Sequence, residues 1–185
     1  GDPGVGKTKL ILRFARDEFN PSSVATIGAE FYRSDVIVED GRTVSLDLWD
    51  IAGQQTYHTL TPHYFRLARA VLLVYDTTCR QSFDHIEHWN QLCQENTSTA
   101  PPIVTLVGTK RDLSDLREVP FEIALAYAKT RGFLYAETSA KTGDSVAEHF
   151  STLAAHLAGP CPPPRQSEII IVTPQRRPKK KRWPC

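Results

Sequence analysis

The sequence predicts an α/β fold with a mostly parallel sheet and helices on both faces. Two near-continuous apolar runs, AVLLVYD at 70–76 and PPIVTLVG at 101–108, have the composition of parallel strands that are covered on both faces. Segments with helical spacing of apolar residues alternate with these runs, which favours right-handed crossovers between parallel strands. In such a sheet, ligands bind at the carboxyl ends of the strands.

The first eight residues, GDPGVGKT, satisfy the phosphate-binding pattern G-x-x-x-x-G-K-[ST] in full. Gly1, Gly4 and Gly6 leave room for backbone N–H groups to approach phosphates closely. Lys7 supplies a positive charge for the outer phosphates, and the Thr8 hydroxyl is a candidate ligand of Mg²⁺. Such a loop joins a buried strand to a helix, and no residue precedes Gly1, so we expect the first strand to be absent from this chain.

The phosphate loop is followed by apolar residues at helical spacing. Leu10, Ile11 and Phe14 predict a core-facing helix of about three turns that ends near Asp17. Phe19 follows at the start of a loop rich in Pro and Ser. Two interpretations of Phe19 remain open, namely packing in the core and an edge-on contact with a nucleotide base.

Residues 31–49 predict an antiparallel hairpin with a tight turn at EDGR, since valine and leucine alternate on both arms. The second arm runs into WDIAGQQ, which puts Asp50 at the end of a strand. A carboxylate at this place can hold Mg²⁺ together with Thr8. Gly53 allows a backbone N–H to approach a terminal phosphate, and Gln54 can orient a water molecule.

A motif for base recognition, GTKRD, ends the second buried strand. Asp112 can accept hydrogen bonds from the ring N–H and the amino group of guanine, whereas adenine offers no such pair of donors. The stem of Lys110 can lie along the face of the base. Ser139, Ala140 and Lys141 stand where the last strand ends, and there a backbone N–H can reach the base oxygen.

The rest of the chain predicts four more helices. These are an irregular helix within 54–69, one through Phe83 and Trp89, one over 120–131 with Pro120 in its first turn, and a closing helix that ends near Ala158.

Composition fits one folded domain over residues 1–158 followed by a tail over 159–185. The chain has 185 residues with 41% apolar content, and it has neither an apolar run of membrane-spanning length nor a signal peptide. The four cysteines lack metal-binding spacing, which indicates reduced thiols. Residues 1–157 carry 15 Lys/Arg against 20 Asp/Glu, whereas residues 158–185 carry 7 against 1, so an acidic body precedes a basic tail.

The tail is rich in proline and polybasic, which predicts disorder. It contains one apolar segment, Glu168 to Val172, then six positive charges over 176–182 and a final Cys185. The charges predict contact with anionic membranes. The stretch PKKKR also resembles a nuclear import signal, so a nuclear role stays open as an alternative.

With the phosphate loop, WDIAGQ, TKRD and TSAK in this order, residues 1–158 resemble a small GTPase of the Ras superfamily. TIGAEF at 26–31, SLDLW at 45–49 and TYHTLTPHYFR at 56–66 resemble Rab signatures. TKRD is similar to the Rho motif, but the helical insert of Rho proteins is missing. The resemblance implies a three-layer P-loop NTPase fold with one antiparallel strand. The strand expected before Gly1 would be central in it, so we expect this chain to be unstable and to bind nucleotide poorly.

The resemblance also implies roles for individual residues. Gln54 would position the attacking water and Lys7 would bind the β- and γ-phosphates. Thr8, Thr26 and Asp50 would hold Mg²⁺. The predicted contacts with GTP or GDP are Gly1, Gly4, Val5, Gly6, Lys7, Thr8, Lys9, Phe19, Thr26, Gly53, Thr109, Lys110, Asp112, Ser139, Ala140 and Lys141.

By the same resemblance, the protein would be a GTPase that switches between GTP and GDP states and regulates membrane traffic. It would act at the cytosolic face of an intracellular membrane, with no nucleic-acid partner. Exchange factors, GTPase-activating proteins and effectors would bind through 20–35 and 51–69. Pro3 stands where Gly or Ser is usual and stiffens the loop, so a GTP-binding module with impaired hydrolysis is an alternative.

Overall fold

A computed structural model of the chain describes residues 1–22, 25–52, 61–97 and 101–160, with the side chains of 61–63 left out. The elements in chain order are α1 (Lys7–Arg16), β1 (Ala29–Ile37), β2 (Thr43–Ile51), α2 (Thr61–Leu67), β3 (Ala70–Asp76), α3 (Arg80–Asp84), α4 (Ile86–Asn96), β4 (Ile103–Thr109), a 3₁₀ turn (Ser114–Leu116), α5 (Phe121–Arg131), β5 (Leu134–Glu137) and α6 (Val146–Ala158).

The strands form two sheets. β3, β4 and β5 form a parallel sheet with β4 in the middle, and β1 pairs with β2 in an antiparallel hairpin. The hairpin turn is closed by Gly41, whose φ of 81° suits glycine, and by a bond from Val38 N–H to the Arg42 carbonyl (2.9 Å). The predicted α/β class is confirmed. In the described part of the chain, the parallel sheet and the antiparallel hairpin are not hydrogen-bonded to each other.

Each face of the parallel sheet has its own apolar core. Leu73 and Tyr75 of β3 belong to a cluster with residues of α3, α4 and α5. Val74 lies between them in the chain and belongs to the other cluster, with Leu10 of α1 and Phe150 of α6. This alternation along β3 is what a strand covered on both faces requires.

Two helical features differ from the simple pattern in the sequence. The helix expected through Phe83 and Trp89 is divided at His85 into α3 and α4. In α6, the polar side chain of His149 is buried together with the apolar side chains of Phe150 and Leu153. None of the described helices is long and apolar enough to span a bilayer.

Candidate functional site

The phosphate-binding pattern forms a loop that opens directly into α1. Gly6 caps the helix in the left-handed region, with φ of 95°, and Gly4 has φ of 78°. Gly1 lies so close to β3 that a Cβ atom there would be 2.1 Å from the Val74 carbonyl oxygen. Glycine is therefore required at three points of this loop, for conformation at two and for space at one. The free N–H groups of the first turn of α1 face the same side as the loop and attract anions.

The ammonium group of Lys7 folds back over the loop. It donates hydrogen bonds to the carbonyl oxygens of Gly1 (2.9 Å) and Asp2 (2.7 Å). Burial lowers the pKa of Lys7, and the nearby carboxylates of Asp50 and Asp2 partly offset this effect. The charge is thus held at the mouth of the loop by neutral carbonyls, where phosphate oxygens would be stronger acceptors.

Two hydroxyls and one carboxylate meet beside the first turn of α1. Thr8 Oγ1 lies 2.8 Å from Thr26 Oγ1 and donates to Asp50 Oδ2 at 2.5 Å, and Thr26 Oγ1 is 3.4 Å from the same oxygen. Asp50 is only 1% exposed, and its other oxygen, Oδ1, is buried with no hydrogen-bond partner among the described residues. Burial raises the pKa of Asp50, which means that its charge is costly without a cation.

The donor set in this cluster fits Mg²⁺. Hard oxygen ligands are what this ion prefers, and it is usually held by one or two protein carboxylates together with substrate phosphates. Thr8, Thr26 and Asp50 offer three such oxygens, and the orphaned Oδ1 of Asp50 has unused acceptor capacity. The phosphate loop ends in the first turn of α1, directly beside Thr8.

The base-recognition motif lies at the carboxyl end of β4. Asp112 Oδ1 accepts a hydrogen bond from Ser139 Oγ at 2.6 Å, which links this motif to the loop after β5. Lys110 adopts a left-handed conformation, with φ of 58°, and its ammonium lies 2.5 Å from Asp76 Oδ2. Asp76 ends β3 and was not predicted as part of the site. The structure thus holds Lys110 and Asp112 by separate partners, one at the end of β3 and one in the loop after β5.

Arg13 of α1 is a second residue that sequence reasoning missed. Its guanidinium donates to the Ala140 carbonyl at 2.6 Å and to the Lys141 carbonyl at 3.2 Å. The same side chain forms an ion pair with Asp17 at 2.7 Å. Arg13 therefore fixes the base loop to the helix that carries Lys7. Nothing in the local sequence indicates this contact, since its partners are 127 and 128 positions away.

Thr109 and Asp2 connect the phosphate loop to the rest of the fold. Thr109 Oγ1 lies 2.5 Å from the Val5 carbonyl and 3.0 Å from the Tyr75 carbonyl. Asp2 accepts from Trp89 Nε1 at 2.8 Å and lies 2.6 Å from His85 Nδ1. The sequence indicated that Thr109 belongs to the site, because this residue begins the motif TKRD. Nothing in the sequence indicated the contacts of Asp2.

Phe19 lies outside both apolar clusters and is half-buried. The ammonium of Lys9 lies 5.8 Å from the centre of its ring and also bonds to the Asn20 carbonyl. Lys9 therefore orders the segment that carries Phe19. Contact of Phe19 with a base stays a prediction, and Gly53 and Gln54 lie outside the described residues.

Comparison with known proteins agrees with this architecture. The Ras family model matches residues 1–158. The chain is 40% identical to the Ras-related protein RABF2b of Arabidopsis thaliana over 95% of this chain and 86% of the relative. It is 44% identical to Rab-13 of Canis lupus familiaris, over 85% of this chain and 76% of the relative. The chain therefore belongs to the Ras family and is a Rab-like small GTPase.

Proposed function

We propose that this protein is a switch that binds GTP or GDP with Mg²⁺, hydrolyses GTP slowly, and engages partners of membrane traffic in the GTP state. The observation that carries the proposal is the cluster of Thr8, Thr26 and Asp50 beside the phosphate loop. It joins an anion site and a cation site within one turn of α1. A nucleoside triphosphate with its metal needs both sites side by side.

Residues of the loop would bind the phosphates directly. Lys7 would exchange its two carbonyl acceptors for oxygens of the β- and γ-phosphates, which are charged and so form stronger hydrogen bonds. Bound Mg²⁺ would neutralise charge on the same oxygens. Asp50 and the hydroxyls of Thr8 and Thr26 would hold it there, and this would satisfy the orphaned carboxylate oxygen.

Asp112 would select guanine. Its carboxylate has room for two further donors beside Ser139, because each oxygen accepts more than one hydrogen bond. The aliphatic stem of Lys110, held by its ion pair with Asp76, would cover one face of the ring. Loss of the charged acceptor would remove the preference over adenine.

A backbone contact would couple the two loops that sense the γ-phosphate. Ala52 N–H donates to the Gly28 carbonyl at 2.9 Å; Ala52 directly precedes Gly53, and Gly28 lies two residues after Thr26. A shift of either loop on loss of the γ-phosphate would therefore be passed to the other loop. Such order–disorder changes are how this class of switch signals its state.

Partners would dock on an exposed aromatic surface beside these loops. Phe31 and Trp49 are 47% and 50% exposed, and their ring centres are 5.0 Å apart. Tyr64 of α2 packs against Trp49 at 5.1 Å, and Ile27 nearby is 76% exposed. This surface lies within or beside 20–35 and 51–69, the ranges predicted for partner binding. Exposed aromatic clusters are typical of protein interfaces.

Single-turnover hydrolysis of GTP by the Gln54→Leu variant tests the proposal. We expect unchanged GTP affinity and loss of turnover, because Gln54 would orient water and leave the phosphates to other residues. Gln55→Leu is the matched control and should hydrolyse GTP at the original rate. Unchanged hydrolysis in Gln54→Leu would contradict the assigned role.

The same assay separates the alternative of impaired hydrolysis, which rests on Pro3. Pro3→Ser restores a backbone N–H at the exposed tip of the loop. If hydrolysis by Pro3→Ser exceeds that of the original chain by tenfold or more, the protein is better described as a GTP-binding module.

The basic tail would hold the protein at anionic membranes on the cytosolic side. Each Lys or Arg near such a surface contributes about 1 kcal/mol before losses, so binding to vesicles with anionic lipid should fall as salt is added. The nuclear alternative predicts instead that the full-length protein appears in the nuclear fraction, and that neutralising Lys179, Lys180 and Lys181 removes it.

A further inference from the structure

The loop after β5 contains two adjacent backbone N–H groups, those of Ala140 and Lys141, that have no partner in the described part of the chain. The other N–H groups of the loop are bonded inside it at 2.8–3.3 Å, namely those of Ser139, Thr142, Gly143 and Asp144. Successive N–H groups in a turn form a concave site of positive potential, which suits an oxygen acceptor. The loop therefore offers a place for one such oxygen at the tip of the base motif.

The direction of each of these two N–H groups is fixed through the carbonyl of its own peptide unit. A peptide unit is planar and trans, so its N–H points opposite to its C=O. Ala140 N–H shares a unit with the Ser139 carbonyl, which accepts from Gly143 N–H at 2.8 Å. Lys141 N–H shares a unit with the Ala140 carbonyl, which accepts from Arg13 Nε at 2.6 Å. The loop thus aims the first group by itself, whereas a side chain of α1 aims the second.

The guanidinium of Arg13 is held on two sides. Beside the bond to Ala140, its Nη2 donates to the Lys141 carbonyl at 3.2 Å. Its Nη1 donates to the carbonyl (3.1 Å) and the carboxylate (2.7 Å) of Asp17, which caps α1 in a left-handed conformation. The side chain of Arg13 is only 17% exposed. A planar fork bonded on both sides keeps its orientation, because it cannot turn without breaking several hydrogen bonds.

We propose that Arg13 is a positioning residue for base recognition, which aims the Lys141 N–H, beside that of Ala140, at the exocyclic oxygen of guanine. This role rests on the proposed function, because the guanine site is part of it. Asp112 would take the two donors of guanine, and the oxygen on the same edge of the base needs a donor from the protein. A charged donor on the Ala140 carbonyl also polarises that peptide unit, which makes the Lys141 N–H a stronger donor.

Asp112 is connected to the same loop by a route that does not involve Arg13. Ser139 Oγ donates to Asp112 Oδ1 at 2.6 Å and accepts from Thr142 N–H at 3.1 Å. Loss of the Arg13 side chain should therefore release the Lys141 N–H and leave the carboxylate of Asp112 in place. Recognition of the base oxygen should weaken, whereas recognition of the amino group should persist.

Competition binding of three nucleoside diphosphates to the full chain tests the proposal. Inosine diphosphate keeps the oxygen of GDP but lacks the amino group. In 6-thioguanosine diphosphate the amino group is kept and sulfur, a weaker acceptor, replaces the oxygen. We expect Arg13→Met to lower the affinities for GDP and inosine diphosphate by the same factor, about tenfold, because a charge-assisted contact is lost. The affinity for 6-thioguanosine diphosphate should fall by a clearly smaller factor.

Two further variants separate the contact with the loop from other effects of the charge. Arg13→Lys keeps the charge and can reach one carbonyl, so part of the lost affinity should return. Arg16→Met is the matched control on the same helix, because the guanidinium of Arg16 lies over the ring of Tyr32, 5.3 Å from its centre. This control should keep all three affinities.

The pattern across the nucleotides distinguishes the outcomes. Equal losses for all three in Arg13→Met would overturn the proposal, because general damage to the fold produces that pattern. Unchanged affinities would overturn it too. If Arg13→Met no longer melts cooperatively, the ratio of the affinities for GDP and 6-thioguanosine diphosphate in Arg13→Lys decides, and a ratio equal to that of the original chain would overturn the proposal. Failure of the original chain to bind GDP would instead contradict the proposed function, and the role of Arg13 with it.

Discussion

The two halves of the candidate nucleotide site differ in how completely their polar groups are partnered. On the base side, Lys110 is paired with Asp76 and Asp112 with Ser139. On the phosphate side, Asp50 is buried with one oxygen that has no partner among the described residues, and Lys7 is bound only to neutral carbonyls. The base side is therefore preformed by the protein. The phosphate side holds charges whose burial is costly in the absence of a charged partner.

The largest expected effect comes from breaking the preformed side. Asp112→Asn replaces the acceptor for two guanine donors by a group with one acceptor and one amine, and should cost about 2–5 kcal/mol of GDP affinity. Affinity for xanthosine diphosphate should rise at the same time. Competition of GDP, ADP and the xanthine nucleotide measures both changes. Asp115→Asn, exposed in the neighbouring 3₁₀ turn, is the control and should change neither.

The scaffold behind the base side also contains buried polar groups without a hydrogen-bond partner among the described residues, and His149 is the titratable one. His149 of α6 is 6% exposed, its Nε2 has no hydrogen-bond partner among the described residues, and burial lowers its pKa to about 4. The unfolded chain would take up a proton near the ordinary pKa of 6.5, well before the folded protein does. The free energy of unfolding should therefore have its full value above pH 6.5. It should decrease by roughly 3 kcal/mol as the pH falls towards 4.

Urea unfolding between pH 7.5 and 4 measures this loss. His149→Leu should flatten the dependence on pH, whereas His156→Leu, at an exposed position of the same helix, should leave it as it is. An equal slope in the original chain and in His149→Leu would show that His149 is already protonated or solvated in the folded protein.

On the phosphate side, the substitution Asp50→Asn should change the stability of the protein in opposite directions with and without ligand. Asp50→Asn removes a buried charge whose pKa is raised by burial, so the nucleotide-free protein should gain about 1–3 kcal/mol of stability. With GDP and Mg²⁺ present, the variant should be less stable than the original chain, because a metal ligand is lost. Thermal melts with ligand, without ligand and with EDTA measure both the gain and the loss of stability. Asp47→Asn, at an exposed position of the same strand, is the control. A lower melting temperature for nucleotide-free Asp50→Asn than for the original chain would contradict the interpretation that the phosphate side holds a costly buried charge.

The smallest expected effect concerns the link between the halves. Thr109→Val removes the hydroxyl that lies 2.5 Å from the Val5 carbonyl, and should cost about 1 kcal/mol of stability. Thr105→Val is a matched control on the same strand, since Thr105 Oγ1 is buried without a partner in the described structure. That change should be neutral or stabilising. Equal effects of the two substitutions in denaturant melts would mean that the Thr109 hydroxyl does not link the halves.

Short motifs carried the prediction of the candidate site. The phosphate loop, WDIAGQ and TKRD place glycine, lysine and carboxylates at fixed local spacing, and local spacing is read directly from the chain. The hairpin and strand β3 were predictable for a similar reason, since alternating and continuous apolar runs report how many faces of a strand are covered. The family and its Rab-like character followed from the same segments.

Other features required the tertiary structure, because they join residues far apart in sequence. The contact of Arg13 with the loop after β5 and that of Asp2 with Trp89 span 127 and 87 positions. The burial of His149 fits the helical spacing of Val146 and Phe150, but its polar side chain hid it from a search for apolar residues.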